Sequence, residues 1–344
     1  MMNTRLFVSL VCLLSGAALT SCVGKPASEY ELSSAATCPF APSEASGSVR
    51  LGYQVIPGPD LYLRDQGMLE ACLPNVDVTW TRFPTGQDVV QGFASGSIDY
   101  GFLGSTPAAK ALSAPLNLDV IVPMVSFFNG SSEALVAKHA TTVAELKGSK
   151  IATAFSSTAH YSLLKALESA GLDPRRDVEI TNISPDKLPA AWASDEIEAA
   201  YIWNPTLMEI QRSGTTLLDS GDVAQAGAPT FNVPLMSRTH TEANPEILRM
   251  WVRLQNWATG QAIDDPEGYI AANAAQTQMS PEETAEQLQG VRPVPADEQP
   301  AAMTEVAQAL YDTAAFLQEQ GEVQAADLSH YQNAARYIDA ETGE

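Results

Sequence analysis

The stretch LGSTPAAKAL, residues 103–112, shows the pattern on which the chain is built: an apolar strand, a cluster of small residues, then a helix. Gly104, Ser105 and Thr106 form what we call the first hydroxyl cluster. We expect Ser105 or Thr106 to cap the helix and Pro107 to be its first residue, because a first-turn N–H has no partner to lose. The start of a helix also attracts anions, so the cluster predicts a cap or an anion site.

The same pattern recurs in FSSTAHYSLLKAL, residues 155–167. Ser156, Ser157 and Thr158 form the second hydroxyl cluster, and we expect Ser157 or Thr158 to cap the helix that follows. Capping alone explains either cluster taken singly. Two such clusters at strand ends favour a shared ligand site, because ligands of α/β sheets bind at the carboxyl ends of the strands.

The rest of the chain alternates between short apolar runs and helical periods. Strands are predicted over residues 49–55, 76–83, 98–103, 150–154, 178–183 and 199–202. Helices are predicted over residues 61–69, 87–94, 159–170 and 188–194 and, in a helical C-terminal region, over 245–259, 266–274, 281–289 and 301–320. This alternation predicts an α/β fold in which helices cover a parallel sheet.

The N-terminus has the features of an export signal. Arg5 precedes an apolar segment that is too short to span a membrane, and small residues follow it. Leu19–Cys22 fits a lipobox, which predicts a signal peptide over 1–21 and lipidation of Cys22; an ordinary signal with a chance cysteine is the alternative. Residues 22–48 are rich in Ser, Ala and Pro and predict a flexible tether. We therefore expect a soluble protein anchored to the outer face of the cell membrane.

The cysteines agree with an oxidising compartment. Of four cysteines, Cys12 leaves with the signal and Cys22 is lipidated, so Cys38 and Cys72 remain. An even pair outside the cell predicts a disulfide, with two free thiols as the alternative. The sequence has no CxxC motif and no Cys/His cluster, so it predicts neither a redox site, nor a structural zinc site, nor any other cofactor.

Composition indicates the size of the core and limits the classes of partner that the protein can bind. A chain of 344 residues with 45% hydrophobic content can bury a large core, which we expect to be divided between two lobes. The net charge of −22 argues against nucleic acid as a partner, because phosphates require clustered Lys and Arg. An acidic surface also repels anions at long range, so an anion site must act through local hydrogen bonds.

Several segments together resemble a known family, the nitrate/sulfonate/taurine substrate-binding proteins of bacterial ABC importers. The resemblance runs from about residue 49 into the final helices and is most specific to the taurine branch. It is carried by LGYQ (51–54), GQDVVQGFASGSIDYGFLGSTP (86–107), SSEALVAK (131–138), SSTAHYSLLKAL (156–167), AAWASDEIEAAYIWNP (190–205) and DSGDVAQAGAPTFNV (219–233).

The resemblance implies a hinge-bending, two-lobe periplasmic-binding-protein fold of type II, with a helical C-terminal region. Lobe 1 would comprise 49–133 together with 231–344, and lobe 2 would comprise 134–230. The two hydroxyl clusters would then face one cleft from opposite lobes. Taurine or a related small sulfonate would be captured there and delivered to a permease with its ATPase, without chemistry on the ligand and without a cofactor.

The resemblance implies roles for particular residues at the sulfonate end of the ligand. Gly104, Ser105 and Thr106 would bind sulfonate oxygens from lobe 1, and Ser157 and Thr158 would do so from lobe 2, through hydroxyls and amides.

Further ligand contacts are implied around this end. Tyr53 and Gln54 lie at the family's binding position, although Tyr53 also suits a half-buried strand. His160 would donate to an oxygen beside Tyr161, or would be a surface residue. Trp203 would cover the two methylenes of the ligand, or would pack in the core. Trp192 is predicted to be a core residue.

The amine end has two candidates. Glu133 would pair with an ammonium group or order the hinge. In the taurine branch an Asp follows the apolar residue after GAPT, whereas Asn232 stands there in this chain, and Ala226 replaces an aromatic residue that usually precedes GAPT. Asn232 still accepts a hydrogen bond but brings no charge, which predicts weaker selection for the amine.

The sequence also allows other ligands on the same fold and raises three other classes of protein. Other aliphatic sulfonates, nitrate or a quaternary amine are alternative ligands on the same fold; the last would need an aromatic cage from Tyr53, Phe127, Phe128 and Trp203. A serine hydrolase would need a G-x-S-x-G elbow, which neither cluster has. The histidines (His139, His160, His240 and His330) lack metal-ligand spacing. An enzyme of pyrimidine synthesis, which shares this fold, would not be exported.

Overall fold

The computed structural model describes residues 36–340. The predicted signal peptide, Cys22 and the tether as far as residue 35 lie outside the described residues. Among the described helices, none combines the length and apolar character that a membrane crossing requires.

Twelve strands and fourteen helices are present in the described part of the chain. The strands are β1 (Ser46–Tyr53), β2 (Asn75–Arg82), β3 (Tyr100–Gly104), β4 (Val120–Ile121), β5 (Phe127–Asn129), β6 (Glu133–Ala137), β7 (Lys150–Thr153), β8 (Glu179–Asn182), β9 (Ala199–Trp203), β10 (Thr215–Asp219), β11 (Phe231–Ser237) and β12 (Val291–Pro293). The helices are α1 (Pro59–Gln66), α2 (Met68–Cys72), α3 (Gly86–Ala94), α4 (Ser105–Leu112), α5 (Thr158–Ser169), α6 (Leu188–Ala193), α7 (Thr206–Gln211), α8 (Ser220–Gln225), α9 (Arg238–Ala243), α10 (Pro245–Asp264), α11 (Pro266–Thr277), α12 (Pro281–Gln289), α13 (Gln299–Glu319) and α14 (Leu328–Ala334).

The strands form two separate sheets. The first has the order β12-β5-β11-β3-β1-β2, with β4 beside β11, and the second has the order β10-β6-β9-β7-β8. The second sheet thus takes consecutive strands from the middle of the chain, and the first sheet takes strands from both sides of that segment. The predicted lobe boundaries at residues 133/134 and 230/231 stay a prediction.

The expectation of a purely parallel sheet is wrong, because both sheets are mixed. β1 pairs in parallel with β2 and β3, and β7 with β8 and β9, as helix crossovers require. β11 is antiparallel to β3, and β6 is antiparallel to β9. Both of these strands enter their sheet from the other sheet instead of through a crossover helix, so no parallel direction is imposed on them.

Both faces of the second sheet are covered, which explains why β6 is apolar from Ala134 to Ala137. Ala134 and Val136 point into one hydrophobic cluster, and Leu135 and Ala137 point into another. Successive side chains of a strand point to opposite faces, so a strand with helices on both sides needs apolar residues at every position. Trp192 packs in the first of these clusters, as predicted.

Two predicted boundaries differ from the structure. The helix predicted over 61–69 is divided into α1 and α2 at Gly67, whose φ of 62° breaks the helical path. The predicted flexible tether extended to residue 48, but β1 begins at Ser46, which pairs with Asn75 of β2. Strand pairing uses backbone groups, so the Ser/Gly composition of this segment did not reveal it.

The segment before β1 is also fixed to the body of the protein. Cys38 and Cys72, the pair expected from the cysteine count, are joined by a disulfide across a sequence separation of 34 residues. The Ser43 N–H donates to the Cys72 carbonyl oxygen at 2.9 Å, and the Arg253 guanidinium lies 4.0 Å from the centre of the Phe40 ring. Whatever tether precedes it, the chain is attached to α2 and α10 from Cys38 onward.

A short segment, residues 130–132, crosses from the first sheet to the second and packs against the end of α12. The N–H groups of Gly130 and Ser132 both donate to the Gly290 carbonyl oxygen, at 3.0 and 3.2 Å. A Cβ atom on Gly290 would lie 2.6 Å from the Ser132 nitrogen, which is backbone and cannot rotate away. Glycine at 290 is therefore required for this close approach.

Gly290→Ala is expected to lower the free energy of unfolding by about 1–3 kcal/mol, because the added methyl forces the backbone of the crossing segment to move. Urea denaturation measures this. The matched control is Gly260→Ala in the interior of α10, where the nearest atom is 4.0 Å from the new Cβ. That change should stabilise by about 0.5–1 kcal/mol. Equal stabilities for the two variants would contradict the proposed packing at Gly290.

Candidate functional site

The start of α5 is capped as the sequence predicted. Ser157 is the N-cap, and its Oγ accepts a hydrogen bond from the His160 N–H at 3.1 Å. The same hydroxyl donates to the Ala154 carbonyl oxygen at 2.6 Å. A serine hydroxyl has one proton, so Ser157 has no side-chain donor left for a ligand.

The start of α4 differs from the prediction. Gly104 is the N-cap, and the helix begins at Ser105, so Pro107 is the third residue rather than the first. The proline is tolerated because the third N–H of a helix is also without an intrahelical partner. Ser105 Oγ accepts from the Phe231 N–H at 3.4 Å, and among the described residues Thr106 Oγ1 has no hydrogen-bond partner.

The two helix starts meet directly. A Cβ atom on Gly104 would lie 2.6 Å from Cγ2 of Thr158, so the absence of a side chain at 104 lets α4 and α5 approach this closely. Gly104 is the last residue of β3 in the first sheet, and Thr158 opens the helix that follows β7 of the second. The two hydroxyl clusters are thus brought together from opposite sheets.

A cavity of about 30 Å³ lies beside this contact. Its volume is far below the roughly 300–1,000 Å³ of pockets for drug-sized ligands, so the cavity suits a solute of a few heavy atoms. Of the described residues that line it, Glu133 alone carries a formal charge. The lining residues are Gln54, Ile56, Gly86, Gly104, Pro107, Phe127, Asn129, Ser132, Glu133, Ser157, Thr158, Trp203, Asn232 and Gln287.

Glu133 is buried at the wall of this cavity and is surrounded by hydroxyl groups. Thr158 Oγ1 donates to one carboxylate oxygen, and Ser220 Oγ donates to the other at 2.6 Å. Burial raises the pKa of Glu133 to about 7, against the opposing effect of these hydrogen bonds, the largest from Ser220. Glu133 therefore places a titratable negative charge at the wall of this cavity.

Asn232 belongs to a chain of side-chain amides. Its Nδ2 donates to Asn129 Oδ1 at 2.8 Å, and Asn129 Nδ2 donates to Thr230 Oγ1 at 3.0 Å. Asn232 lies on β11 and Asn129 on the neighbouring β5, so sheet pairing sets their separation. The chain fixes the orientation of Asn232 at the cavity wall.

Gln54 and Trp203, two residues that the sequence analysis assigned to the ligand site, both line the cavity. Gln54 follows β1, and its Nε2 donates to the Phe102 carbonyl oxygen at 3.1 Å. Trp203 ends β9 opposite Glu133 in the sheet register and is half-buried, with contacts to both hydrophobic clusters of the second sheet. Trp203 therefore packs in the core and also lines the cavity, the two roles that the sequence left as alternatives.

Five predicted site residues do not line the cavity. Ser105 and Thr106 are buried behind Gly104. Tyr53 has the Arg64 guanidinium 4.5 Å from its ring centre, and Tyr161 packs edge-on against Phe316. His160 stacks on Phe155, and burial lowers its pKa. His160 Nδ1 accepts from the Ser156 N–H at 3.2 Å, so the proton of the neutral ring lies on Nε2.

Several lining residues were missed by the sequence analysis. Asn129 and Gln287 have polar side chains but no motif that marks them, and Gln287 comes from a helix 129 positions beyond Thr158. Ser132 lies within SSEALVAK (131–138) but was assigned no role. Ser220, which bonds Glu133, lies inside a quoted segment but was assigned no role. The remaining missed residues are apolar or glycine: Ile56, Gly86 and Pro107. Phe127 also lines the cavity and was named only for the aromatic cage of the alternative quaternary amine. The described residues contain no group of three or more His, Cys, Asp or Glu side chains placed to bind a metal ion.

The chain is similar in sequence to binding proteins of known bacteria. It is 37% identical over 272 residues to the taurine-binding periplasmic protein of Escherichia coli (strain K12), a match that covers 74% of this chain and 82% of that protein. It is 30% identical over 217 residues to a putative aliphatic sulfonates-binding protein of the same strain, covering 62% of this chain and 66% of that protein.

The fold is also similar to that of a solved structure of a binding protein. The alkanesulfonate-binding protein SsuA from Xanthomonas axonopodis pv. citri, bound to MOPS, superposes with a TM-score of 0.70 at 25% identity, over 82% of this chain and 95% of that chain. The fold is thus the two-lobe α/β fold of periplasmic solute-binding proteins. Residues 65–268 match the model of the NMT1-like family. By this match, and by its identity to a periplasmic binding protein over most of that protein's length, the chain belongs to the NMT1-like family.

Proposed function

We propose that this protein is the solute-binding component of an ABC importer and that it captures taurine or a closely related small sulfonate. The observation that carries the proposal is the small cavity at which two helix starts meet beside one buried carboxylate. The helix starts suit an anionic group, and the carboxylate suits a cationic one. A small zwitterion with a sulfonate and an ammonium group satisfies both.

The sulfonate would be bound by backbone groups. The first-turn N–H groups of α4 and α5 have no intrahelical backbone acceptor and carry a partial positive charge. Pro107 has no N–H and the His160 N–H donates to Ser157 Oγ, so the groups that remain for the anion are those of Ser105 and Thr106 in α4 and of Thr158 and Ala159 in α5. The Ser157 hydroxyl donates to the Ala154 carbonyl oxygen and the Thr158 hydroxyl donates to Glu133, so both orient the start of α5 rather than contact the anion. This replaces the hydroxyl contacts predicted from the sequence with contacts to N–H groups.

Capture and delivery without chemistry suit the two-lobe fold. Ligand would bind between the separated lobes, and hinge bending at the crossing segments would bring α4 and α5 together around it. The closed protein would then dock on a permease with its ATPase. The E. coli relatives named for taurine and for aliphatic sulfonates support this role, and no catalytic group is required for it.

The alternative ligands differ in how well they fit the cavity. Plain aliphatic sulfonates would use the helix starts but leave Glu133 without a cation, and nitrate would do the same. A quaternary amine would need an aromatic cage, but Tyr53 is covered by Arg64 and Phe128 packs against Phe231 and Arg292. The cavity favours an aminosulfonate over each of them.

Calorimetric titration of one panel tests this function: taurine, ethanesulfonate, β-alanine, nitrate and betaine. Taurine should bind at least about tenfold more tightly than β-alanine, a difference of about 1.4 kcal/mol, because three sulfonate oxygens can accept from both helix starts whereas a carboxylate has only two. Equal binding of β-alanine and taurine would show that the anion site is wrongly assigned. Betaine as the tightest ligand would favour an amine binder instead.

We also propose that the mature protein is lipid-anchored through Cys22 outside the cell membrane. Cys22→Ala should prevent lipidation, so that the protein is either released from membranes or retained with its signal uncleaved. Membrane fractionation and gel mobility measure both results. Cys12→Ala, the same change inside the predicted signal peptide, is the control and should leave processing intact. Unaltered membrane retention and mobility of the Cys22 variant would exclude the anchor.

A further inference from the structure

Gln287 differs from the other lining residues of the cavity in having a fully buried side-chain acceptor without a hydrogen-bond partner among the described residues. Its side chain is 2% exposed, and no donor among the described residues lies within hydrogen-bond distance of its Oε1. Of the described buried side-chain polar atoms without a partner, this is the one that belongs to a lining residue of this cavity. A buried acceptor left unpaired is costly, so a ligand donor at this position would be strongly favoured.

The position of Gln287 is fixed by the backbone of the crossing segment. Gln287 lies in the last turn of α12, and the Gly290 N–H donates to its carbonyl oxygen at 3.0 Å. The Gly290 carbonyl oxygen in turn accepts from Gly130 and Ser132, immediately before Glu133. Gln287 and Glu133 are therefore held on the same side of the ligand volume.

Several other acceptors on this wall already accept hydrogen bonds from the protein. Each carboxylate oxygen of Glu133 accepts from a hydroxyl, of Thr158 or of Ser220. Asn129 Oδ1 accepts from Asn232. Gln287 Oε1 has no such donor among the described residues, so a donor on a bound solute would satisfy it. A sulfonate has no proton to donate, whereas an ammonium group has three.

We infer that Gln287 accepts a hydrogen bond from the ammonium group of the bound ligand and so selects aminosulfonates over plain alkanesulfonates. The inference rests on the proposed function. Glu133 supplies the charge that attracts the ammonium, and Gln287 supplies the directed acceptor. This assigns to the C-terminal helical region a part in recognition that neither hydroxyl cluster provides.

The test compares calorimetric affinities for taurine and ethanesulfonate in wild type, Gln287→Met and Gln287→Glu. Gln287→Met keeps the length of the side chain and removes the acceptor, so taurine affinity should fall about ten- to hundredfold while ethanesulfonate affinity stays within about twofold. Gln287→Glu keeps an acceptor oxygen and should retain taurine binding. Gln289→Met, the same change at an exposed position of α12, should alter neither affinity.

The results that would contradict the inference can be told apart from those that would contradict the proposed function. If Gln287→Met weakens both ligands equally, or neither, then Gln287 does not face the amine and the inference fails while the proposed function stands. If wild-type protein binds neither sulfonate, the proposed function fails and the inference with it. Loss of taurine binding in Gln287→Glu as well, at unchanged ethanesulfonate affinity and unchanged melting temperature, would also overturn the acceptor role.

Discussion

Gly104→Ala is expected to weaken taurine binding about ten- to hundredfold. The new Cβ would lie 2.6 Å from Cγ2 of Thr158, a contact closer than packed carbon atoms allow. The contact joins α4 to α5, so the cost of about 1–3 kcal/mol falls on the closed arrangement that encloses the ligand. Titration with taurine measures the loss.

A second substitution separates this explanation from general damage. Thr158→Ser removes the methyl group that clashes but keeps the hydroxyl that donates to Glu133. The double variant should therefore recover most of the affinity lost by Gly104→Ala, since the next nearest atoms of Thr158 lie 3.5 and 3.6 Å from the new Cβ. Failure of Thr158→Ser to restore binding would show that the contact between the two helix starts is not what the alanine disrupts.

The affinity for taurine is expected to rise with pH, about tenfold or more between pH values of about 5.5 and 8, through the ionisation of Glu133. Burial raises the pKa of this carboxyl to about 7, so it is mostly protonated at the lower pH and mostly ionised at the higher. A bound ammonium favours the ionised form and lowers the pKa in the complex, so binding releases a proton near neutral pH. Titrations in buffers of different ionisation enthalpy measure that release.

Ethanesulfonate and a variant provide the controls for this dependence. Ethanesulfonate has no cation to pair with Glu133, so its affinity should stay level or fall as the carboxylate ionises. Glu133→Gln should flatten the taurine profile and reduce the ratio of taurine to ethanesulfonate affinity. Parallel pH profiles for the two ligands in wild type would place the amine away from Glu133.

The same pKa shift makes a prediction for stability without ligand. The folded pKa lies above the unfolded value near 4.5, so the folded state binds more protons between the two values. The contribution of Glu133 to stability therefore declines as the pH rises from about 4.5 to about 7. Glu133→Gln should lack this decline, which supports the pKa assignment independently of any ligand.

The features that the sequence predicted well depend on contacts between residues that are close together in the chain. The sequence predicted Ser157 or Thr158 as a cap, and Ser157 takes that position, because a capping hydroxyl bonds a backbone N–H two or three residues on, a distance that any helix start fixes. The alternation of strands and helices gave most elements within a few residues. Gly104 took the capping position expected of Ser105 or Thr106 because packing against Thr158 required a residue without a side chain, and that contact spans two sheets.

What the sequence did not predict depended on distant contacts or on helix geometry. Gln287 reaches the cavity through the contact of Gly290 with residues 130–132, which lie more than 150 positions earlier. His160 and Tyr161 were placed in the site because they follow Thr158 in the sequence. The helix turns His160 toward Phe155, and Tyr161, the next residue and about 100° further around the helix, packs against Phe316.

The central claim is that two helix starts bind the sulfonate while Glu133 and Gln287 face the amine. A crystal structure of the taurine complex tests it by the distances from each end of the ligand. We expect sulfonate oxygens within hydrogen-bond distance, about 2.7–3.2 Å, of first-turn N–H groups of both α4 and α5, with the nitrogen on the side of Gln287 and Glu133. Taurine bound in the reverse orientation, or with its sulfonate on only one of the two helices, would contradict the account.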